Sequence, residues 1–215
     1  TAGTIVGNVS ESVTEETGLP TDAYVVVSGA DTQCGLLGMG IIHAGQVGIV
    51  AGWSIPLQLV TTKPILSLEA RTWASCHLPD NLWTLESSAG DAGNSYRWLA
   101  NTFYNEVNNP YEKMELEARQ IPPGAEGALA YLGPSLMNMS HIGMRQGGFI
   151  FPVPMTVTEI SRGHFIRAAL ESIAYAVRAN LEQIEELSDS NISIIAVGGG
   201  MTRTDTWIKI LTNVL

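Results

Sequence analysis

Positive charge is scarce in this chain of 215 residues. Lysine and arginine together number 11 against 21 aspartates and glutamates, which gives a formal net charge of −10. Because proteins that bind nucleic acid normally concentrate basic residues on one face, no nucleic-acid partner is expected. Long hydrophobic runs are also missing, since the apolar stretches are strand-sized or interrupted by glycine and proline. The sequence therefore predicts no membrane span or membrane partner and, lacking a basic-then-apolar signal pattern at its start, a cytoplasmic protein.

Cysteine is rare as well. The two that occur, Cys34 and Cys76, lie far apart and neither belongs to a CxxC pair. This spacing disfavours a zinc site or a disulfide framework, and we expect two reduced thiols. Cys34 would lie one turn beyond Asp31 in a helix with no base placed beside it, so we expect a small buried hydrophobe rather than a nucleophile.

Apolar residues make up 45% of the chain, which is enough to supply the core of a globular α/β protein. Hydrophobic periodicity and turn residues predict strands at 4–7, 24–27, 46–51, 55–61 and 192–197. The same signals predict helices at 10–17, 32–37, 94–104, 111–120, 161–187 and 204–215. Periodicity is weak over residues 62–92, and residues 137–151 are predicted to be an irregular loop.

Asp31 follows a run of three β-branched residues, Val25 to Val27. Continuous apolar runs are typical of buried parallel strands, whose carboxyl ends collect reacting groups in open α/β sheets. A carboxylate at that place can remove a proton from a substrate hydroxyl, and Gly29 and Gly35 leave room for a ligand. The alternative is that Asp31 caps the helix starting at Thr32.

Two glycine-containing turns are candidate ligand-binding segments. Gly52-Trp53-Ser54 joins two predicted strands and is a candidate phosphate hairpin. Gly198-Gly199-Gly200 separates a strand from a helix, where backbone N–H groups can meet an anion or a flat ring, although close packing alone could also explain such a turn. Its spacing matches neither GxGxxG nor a P-loop, which disfavours both of those folds.

In their order and intervals, these segments resemble the FGGY family of carbohydrate kinases. The matching motifs are Ser28–Gln33, the Gly52 hairpin, Pro122–Gly124, His164–Glu171, which is similar to the family's second signature, and Ala196–Trp207. The resemblance implies a ribonuclease H-like α/β fold of the actin and hexokinase type, with a mixed sheet flanked by helices. It also implies that residues 1–46 end a first, sugar-binding domain and that residues 47–215 form most of a second, nucleotide-binding domain.

The function implied by the resemblance is phosphorylation of a small sugar, most directly a pentulose such as xylulose, with ATP and Mg²⁺. Asp31 would be the general base that deprotonates the attacking sugar hydroxyl, and Thr32 would help to hold the sugar. The residues carried over to the nucleotide are Gly52, Trp53, Gly93, Arg97, Gly199, Gly200 and Thr204. No side chain is assigned to the metal.

Four further side chains have structural interpretations. Arg97 could bind a phosphate or stack on the base, or it could equally be a solvated arginine on a helix surface. His77 and His164 are expected to form structural hydrogen bonds. Glu171, beside two alanines on a packed helix, is expected in a structural ion pair or hydrogen bond.

The chain also departs from the family pattern. Its hairpin reads Gly52-Trp53-Ser54-Ile55 where family members have a Gly-Thr-Ser-Gly type of sequence, and residues 134–140 are closer to autoinducer-2 kinases than to pentulose kinases. Three alternatives therefore stay open: a catalytically silent nucleotide-binding or regulatory module, a kinase for another polyol or an autoinducer-2-like compound, and a non-kinase α/β enzyme. The resemblance also implies that most of the family's first domain lies outside this sequence, so we expect the chain alone to lack turnover and to self-associate, for instance as a homodimer.

Overall fold

The computed structural model describes residues 1–157 and 159–215. The strands are β1 (Ile5–Asn8), β2 (Tyr24–Val26), β3 (Val47–Val50), β4 (Pro56–Thr61), β5 (Trp73–Cys76), β6 (Trp83–Ser88), β7 (Leu129–Tyr131), β8 (Gly148–Ile150) and β9 (Ile195–Gly198). The helices are α1 (Glu11–Thr17), α2 (Asp31–Gly38), α3 (Ala92–Phe103), α4 (Pro110–Gln120), α5 (Arg162–Ser188) and α6 (Asp205–Val214). Short 3₁₀ turns cover residues 125–127 and 200–203. In the part of the chain described, no helix is long and apolar enough to cross a membrane.

A five-stranded sheet in the order β5-β6-β4-β3-β9 organises most of the chain. Only β3 and β9 pair in parallel, and the other pairs are antiparallel. Because side chains alternate along a strand, Leu57 and Leu59 join the main core on one face, while Val60 packs with Leu36 of α2 on the other. The predicted mixed sheet flanked by helices is confirmed.

Helix α5 supplies the largest share of the main core. Its buried side chains recur at three- and four-residue spacing, as predicted for residues 161–187. Ser161 and His164 form a capping box that satisfies backbone N–H groups at the start of the helix, and Asp189 ends it in a left-handed conformation. Local signals therefore placed both ends of this helix to within one residue.

The expectation of a buried parallel strand at Val25 to Val27 is wrong. Strand β2 is exposed and pairs antiparallel with β1 in a separate two-stranded sheet, and residues 27–30 separate it from α2. β-Branched residues favour an extended backbone, but burial needs a covering layer, and the described residues provide none over β2.

Several strands of the structure differ from those predicted from the sequence. Residues 62–92 contain β5 and β6, whose polar buried side chains, such as Thr84 and Glu86, hide the strand period. Strand β8 lies within the segment predicted as a loop, and β7 was not predicted. The strand predicted at 192–197 begins only at Ile195 and is half-buried rather than buried, because β9 is one of the two edge strands of the sheet.

Candidate functional site

Four segments that are distant in sequence line one cavity of about 560 Å³. They are the β3–β4 hairpin, the first turns of α3, one face of α4 and the turn between β9 and α6. Of the seven residues assigned to the nucleotide from the sequence, six line it: Gly52, Trp53, Gly93, Arg97, Gly200 and Thr204. Six more were not predicted: Tyr96, Tyr111, Glu112, Glu115, Met201 and Arg203. Tyr96 could have been found from its helical spacing to Gly93, which places both residues on one face of α3.

The β3–β4 hairpin is held against the start of α3. The carbonyl of Trp53 accepts the N–H groups of Gly93 at 2.9 Å and Asn94 at 3.3 Å, so it satisfies donors that a helix N-terminus leaves unpaired. A Cβ on Gly93 would collide with the carbonyl of Gly52. Gly93 is therefore required for this close approach, and the hairpin has a fixed position at the cavity.

The glycine turn after β9 is tied to β3 in a similar way. Gly199 has φ +108°, and a Cβ there would come within 2.5 Å of the Ala51 carbonyl oxygen, which accepts the N–H of Met201 at 3.0 Å. Gly199 does not line the cavity, so the structure gives it a role in the backbone of the turn.

Gly52 and Gly200 differ from these two glycines. Neither has a positive φ, and a Cβ would meet nothing within 4 Å at Gly200 and only one backbone oxygen, at 3.9 Å, at Gly52. Neither backbone conformation nor packing within the described residues requires glycine there. Both positions border the cavity, and the absent side chains keep space open beside it.

Aromatic rings and guanidinium groups occur together in the cavity. Trp53 is 67% exposed, and the guanidinium of Arg97 lies over its ring, 5.2 Å from the centroid. Arg97 also donates to Asn94 Oδ1 at 3.1 Å, so this exposed arginine is held in place rather than freely solvated. The ring centroids of Tyr96 and Tyr111 lie 5.6 Å apart. Burial raises the pKa of the Tyr96 hydroxyl.

Glu115, an acidic residue that lines the cavity, already forms hydrogen bonds within the fold. Glu115 Oε1 accepts the N–H of Thr206 at 3.0 Å and its hydroxyl at 3.2 Å, which caps the first turn of α6. The same oxygen pairs with Arg119 at 3.1 Å. Arg97 and Arg203 lack such ion pairs within the described residues, so both guanidinium groups are available to a ligand.

Asp31 and Thr32 lie outside this cavity, in the first turn of α2. The residue that precedes the helix is Ala30, and Asp31 Oδ1 accepts the N–H of Thr32, its immediate neighbour, at 2.8 Å. The helix-capping alternative in its usual form is therefore not observed. Asp31 remains an exposed carboxylate with one oxygen held by the backbone.

A buried polar layer lies between α2 and the sheet, and sequence reasoning missed it. Gln33 reaches Ser75 of β5, and Gln58 of β4 donates to Glu86, its cross-strand partner on β6. Burial raises the pKa of the Glu86 carboxyl group, and the negative charge of Asp31 raises it further. The hydrogen bond from Gln58 lowers this pKa but does not cancel the increase.

Cys34 is half-buried rather than buried, and it borders a cavity beside β2, which corrects the expectation from the sequence. Its Sγ lies 3.3 Å from the hydroxyl of Ser28, and this hydrogen bond is the main cause that lowers the pKa of the thiol. Both cysteines are free thiols, as expected.

The structural interpretations of the remaining candidates are confirmed. His77 is buried and donates from Nε2 to the carbonyl of Ile41 at 2.8 Å, and His164 contacts Glu126 at 2.8 Å. Glu171 pairs with Arg167 at 2.6 Å and accepts the N–H of Gly124 at 3.0 Å.

Comparisons with known proteins agree with this architecture. Residues 49–215 match the model of the C-terminal domain of the FGGY family of carbohydrate kinases. "Putative sugar kinase YoaC" of Bacillus subtilis is 31% identical over 201 residues, which are 93% of this chain and 40% of that protein. The autoinducer-2 kinase of Yersinia pestis is 26% identical over 99% of this chain and 41% of its own length. The chain thus spans about two fifths of the length of the curated relatives it matches.

Solved structures show the same fold. The xylulose kinase of Rhodospirillum rubrum aligns with a TM-score of 0.73 and 23% identity, covering 98% of this chain and 41% of that one. The glycerol kinase of Plasmodium falciparum with ADP aligns with a TM-score of 0.74 and 16% identity, covering 99% and 41%.

Proposed function

Because this chain belongs to the FGGY family of carbohydrate kinases, we propose that the protein it comes from transfers the γ-phosphoryl group of ATP to a hydroxyl of a small sugar, a pentulose such as xylulose. The observation that carries this proposal is the cavity in which aromatic rings, two guanidinium groups and two glycines without a packing role come together. We also propose that residues 1–46 belong to the sugar-binding domain and residues 47–215 to the nucleotide-binding domain, a division supported by the family match beginning at residue 49.

The residues of the cavity fit a nucleotide. Its volume lies in the range typical of small-molecule sites. Arg97 and Arg203 offer planar, charged donors that suit phosphate oxygens, and Trp53 and Tyr111 offer flat faces that suit a base. Gly200 leaves open space at the turn before α6, where a helix N-terminus favours an anion. ATP would thus be held by Gly52, Trp53, Gly93, Arg97, Gly200 and Thr204, with Gly199 shaping the turn.

We assign to Asp31 the removal of the proton from the sugar hydroxyl. Bound MgATP would supply a transferable phosphoryl group whose charge the metal partly neutralises. Over residues 1–157 and 159–215, no group of three or more His, Cys, Asp or Glu side chains is placed to hold a metal ion. We propose that Mg²⁺ enters with the phosphate oxygens of ATP. The exposed Asp31 carboxylate would accept the proton of the attacking sugar hydroxyl, and Thr32 would help to orient that sugar.

Phosphorylation of autoinducer-2 is a second candidate activity. The 26% identity to the autoinducer-2 kinase extends over 99% of this chain, whereas the likeness to xylulose kinases is one of fold. The two candidates share the nucleotide cavity and the role of Asp31, and they differ in the acceptor alone.

A coupled assay of ADP release distinguishes these activities. The full-length protein would be supplied with MgATP and a panel of pentuloses, hexoses, polyols and autoinducer-2. We expect the highest kcat/KM with a pentulose. Turnover restricted to autoinducer-2 would favour the second candidate. ATP binding without turnover of any acceptor would contradict both and would support a silent nucleotide-binding module.

A further inference from the structure

Gln33 is a buried amide directly beside the two residues assigned to the sugar. Its side chain is 7% exposed and lies between α2 and the sheet. Gln33 Oε1 accepts the hydroxyl of Thr32 at 2.9 Å, and Gln33 Nε2 donates to Ser75 Oγ at 3.2 Å. The amide therefore connects the turn at Asp31 and Thr32 to strand β5.

The hydrogen bonds on both sides of Gln33 agree with one orientation of its amide. Ser75 Oγ accepts from the N–H₂ group of Gln33 at 3.2 Å and lies 2.8 Å from Thr84 Oγ1. A hydroxyl oxygen has two lone pairs, so Ser75 Oγ can accept from the amide whichever of the two hydroxyls donates to the other. With the N–H₂ group on Ser75, the carbonyl oxygen of the Gln33 amide is turned toward Thr32.

This orientation has a chemical consequence for Thr32. A threonine hydroxyl has one proton and two lone pairs, and Gln33 takes the proton. The oxygen can therefore only accept a hydrogen bond from a ligand. Asp31, an acceptor when ionised, lies next to it with one oxygen already bonded to the backbone. The turn thus offers two neighbouring acceptors, which suits a ligand with two neighbouring hydroxyl donors.

We propose that Gln33 is a positioning residue that sets Thr32 as a hydrogen-bond acceptor and so makes the site select acceptors bearing a pair of adjacent hydroxyl groups. The inference rests on the proposed kinase function. Gln33 does not line the nucleotide cavity, so we expect its effect to be confined to the sugar side of the reaction.

The test compares Gln33→Met with wild type in the full-length kinase. Methionine has a similar length, but its thioether is only a weak acceptor for the proton of Thr32 and cannot donate to Ser75. We expect the KM for the sugar to rise about 5- to 10-fold, the equivalent of one lost hydrogen bond, while the KM for MgATP changes by less than about twofold. In a Thr32→Val background the same substitution should have little further effect on the KM for the sugar, because Gln33 acts through the missing hydroxyl.

Gln183→Met is the matched control. Gln183 is a buried amide on the opposite face of the sheet, where it donates to Ser87 Oγ at 2.9 Å and to the carbonyl of Met137 at 3.1 Å. Its loss should lower the melting temperature and leave both KM values unchanged.

The outcomes separate the inference from the function on which it rests. An active wild type whose sugar KM is unaffected by Gln33→Met overturns the inference alone. Equal effects of Gln33→Met with and without the Thr32 hydroxyl also overturn the inference and leave the kinase function standing. A wild type without turnover of any acceptor overturns the proposed function, and the inference falls with it.

Discussion

At the scale of single residues, the four glycines around the cavity have two different physical explanations. The fold requires glycine at positions 93 and 199, because a Cβ at either position would clash with a backbone carbonyl. Gly52 and Gly200 meet no such obstacle, and their φ angles are open to any residue. A substitution at the second pair should therefore test the ligand rather than the fold.

Gly200→Val should weaken ATP binding much more than it weakens folding. The branched side chain would occupy space beside the cavity that the described residues leave empty. We expect ATP affinity to fall by at least about 10-fold, measured by calorimetric titration, with a melting temperature close to that of wild type. Gly143→Val is the control, since a Cβ there also meets nothing within 4 Å but lies outside the cavity. Unchanged ATP affinity in a well-folded Gly200 variant would contradict the nucleotide assignment.

Asp31→Asn should lower kcat of the full-length protein by at least about 100-fold, because asparagine cannot accept the proton of the sugar hydroxyl. The ATP affinity should barely change, since Asp31 does not line the nucleotide cavity. Steady-state kinetics and calorimetry measure the two effects separately. Asp22→Asn, in an exposed turn, serves as the control. Near-normal turnover by the Asp31 variant would show that the general base lies elsewhere.

At the scale of elements, one carboxylate joins three helices beside the cavity. Glu117 of α4 accepts the hydroxyl of Tyr104, after α3, at 2.6 Å and two N–H groups of Arg162, at the start of α5, at 2.9 Å each. Arg162 also lies over the Tyr104 ring, 4.3 Å from its centroid. Burial by itself would raise the pKa of Glu117, but the hydrogen bonds from Arg162 and Tyr104 lower it overall. This junction helps to hold α4, which carries Tyr111 to the cavity.

Glu117→Gln should reduce the free energy of unfolding at pH 7 by about 1–2 kcal/mol, through loss of charge-assisted hydrogen bonds. The folded-state pKa of Glu117 lies below its unfolded value, so the ionised form stabilises the fold. That advantage of wild type is complete above the ordinary glutamate pKa and disappears as the pH falls through the lower, folded-state pKa.

Denaturant unfolding of wild type and Glu117→Gln between pH 7 and pH 3 would measure this difference. Glu182→Gln is the control, because Glu182 forms an exposed pair with Arg178 that should contribute little at any pH. A difference between wild type and the Glu117 variant that stays constant over the whole range would show that the charge of Glu117 is not what stabilises the junction.

At the scale of the whole molecule, two groups of proposed site residues lie on different elements. The polar layer and the turn with Asp31 lie on the α2 side of the sheet, whereas the nucleotide cavity is formed by the hairpin, α3, α4 and the turn after β9. Phosphoryl transfer needs sugar and nucleotide to be aligned and water to be excluded. We propose that this alignment also uses surfaces outside the present chain, which spans about two fifths of the length of its relatives.

The 215-residue chain by itself should therefore bind ATP weakly at most and release no ADP in response to any sugar. It should also self-associate, because β1 and β2 expose apolar side chains, Ile5, Val6, Tyr24, Val25 and Val26 among them. A coupled assay beside the full-length protein tests the first expectation, and light scattering after gel filtration tests the second. Sugar-dependent turnover by the chain alone would contradict the proposed need for further parts of the protein.

The amino-acid sequence by itself determined those features that depend on neighbouring residues. The period and the approximate ends of α5 and the hairpin at Gly52 were predictable, because helical spacing and turn formation act over a few positions. The order of the glycine motifs and of the segment around Asp31 was also sufficient to indicate the family.

Tertiary structure alone decided what depends on distant partners. The exposure of β2, the edge position of β9 and the presence of β5 and β6 follow from which layers cover each strand, and no local pattern records that. Tyr111 reaches the cavity because α4 packs beside α3, and Gln33 meets Ser75 across 42 positions of sequence. Packing between elements determines which side chains are buried and which come together. Composition and periodicity could therefore suggest residues of the site but could not predict their arrangement in space.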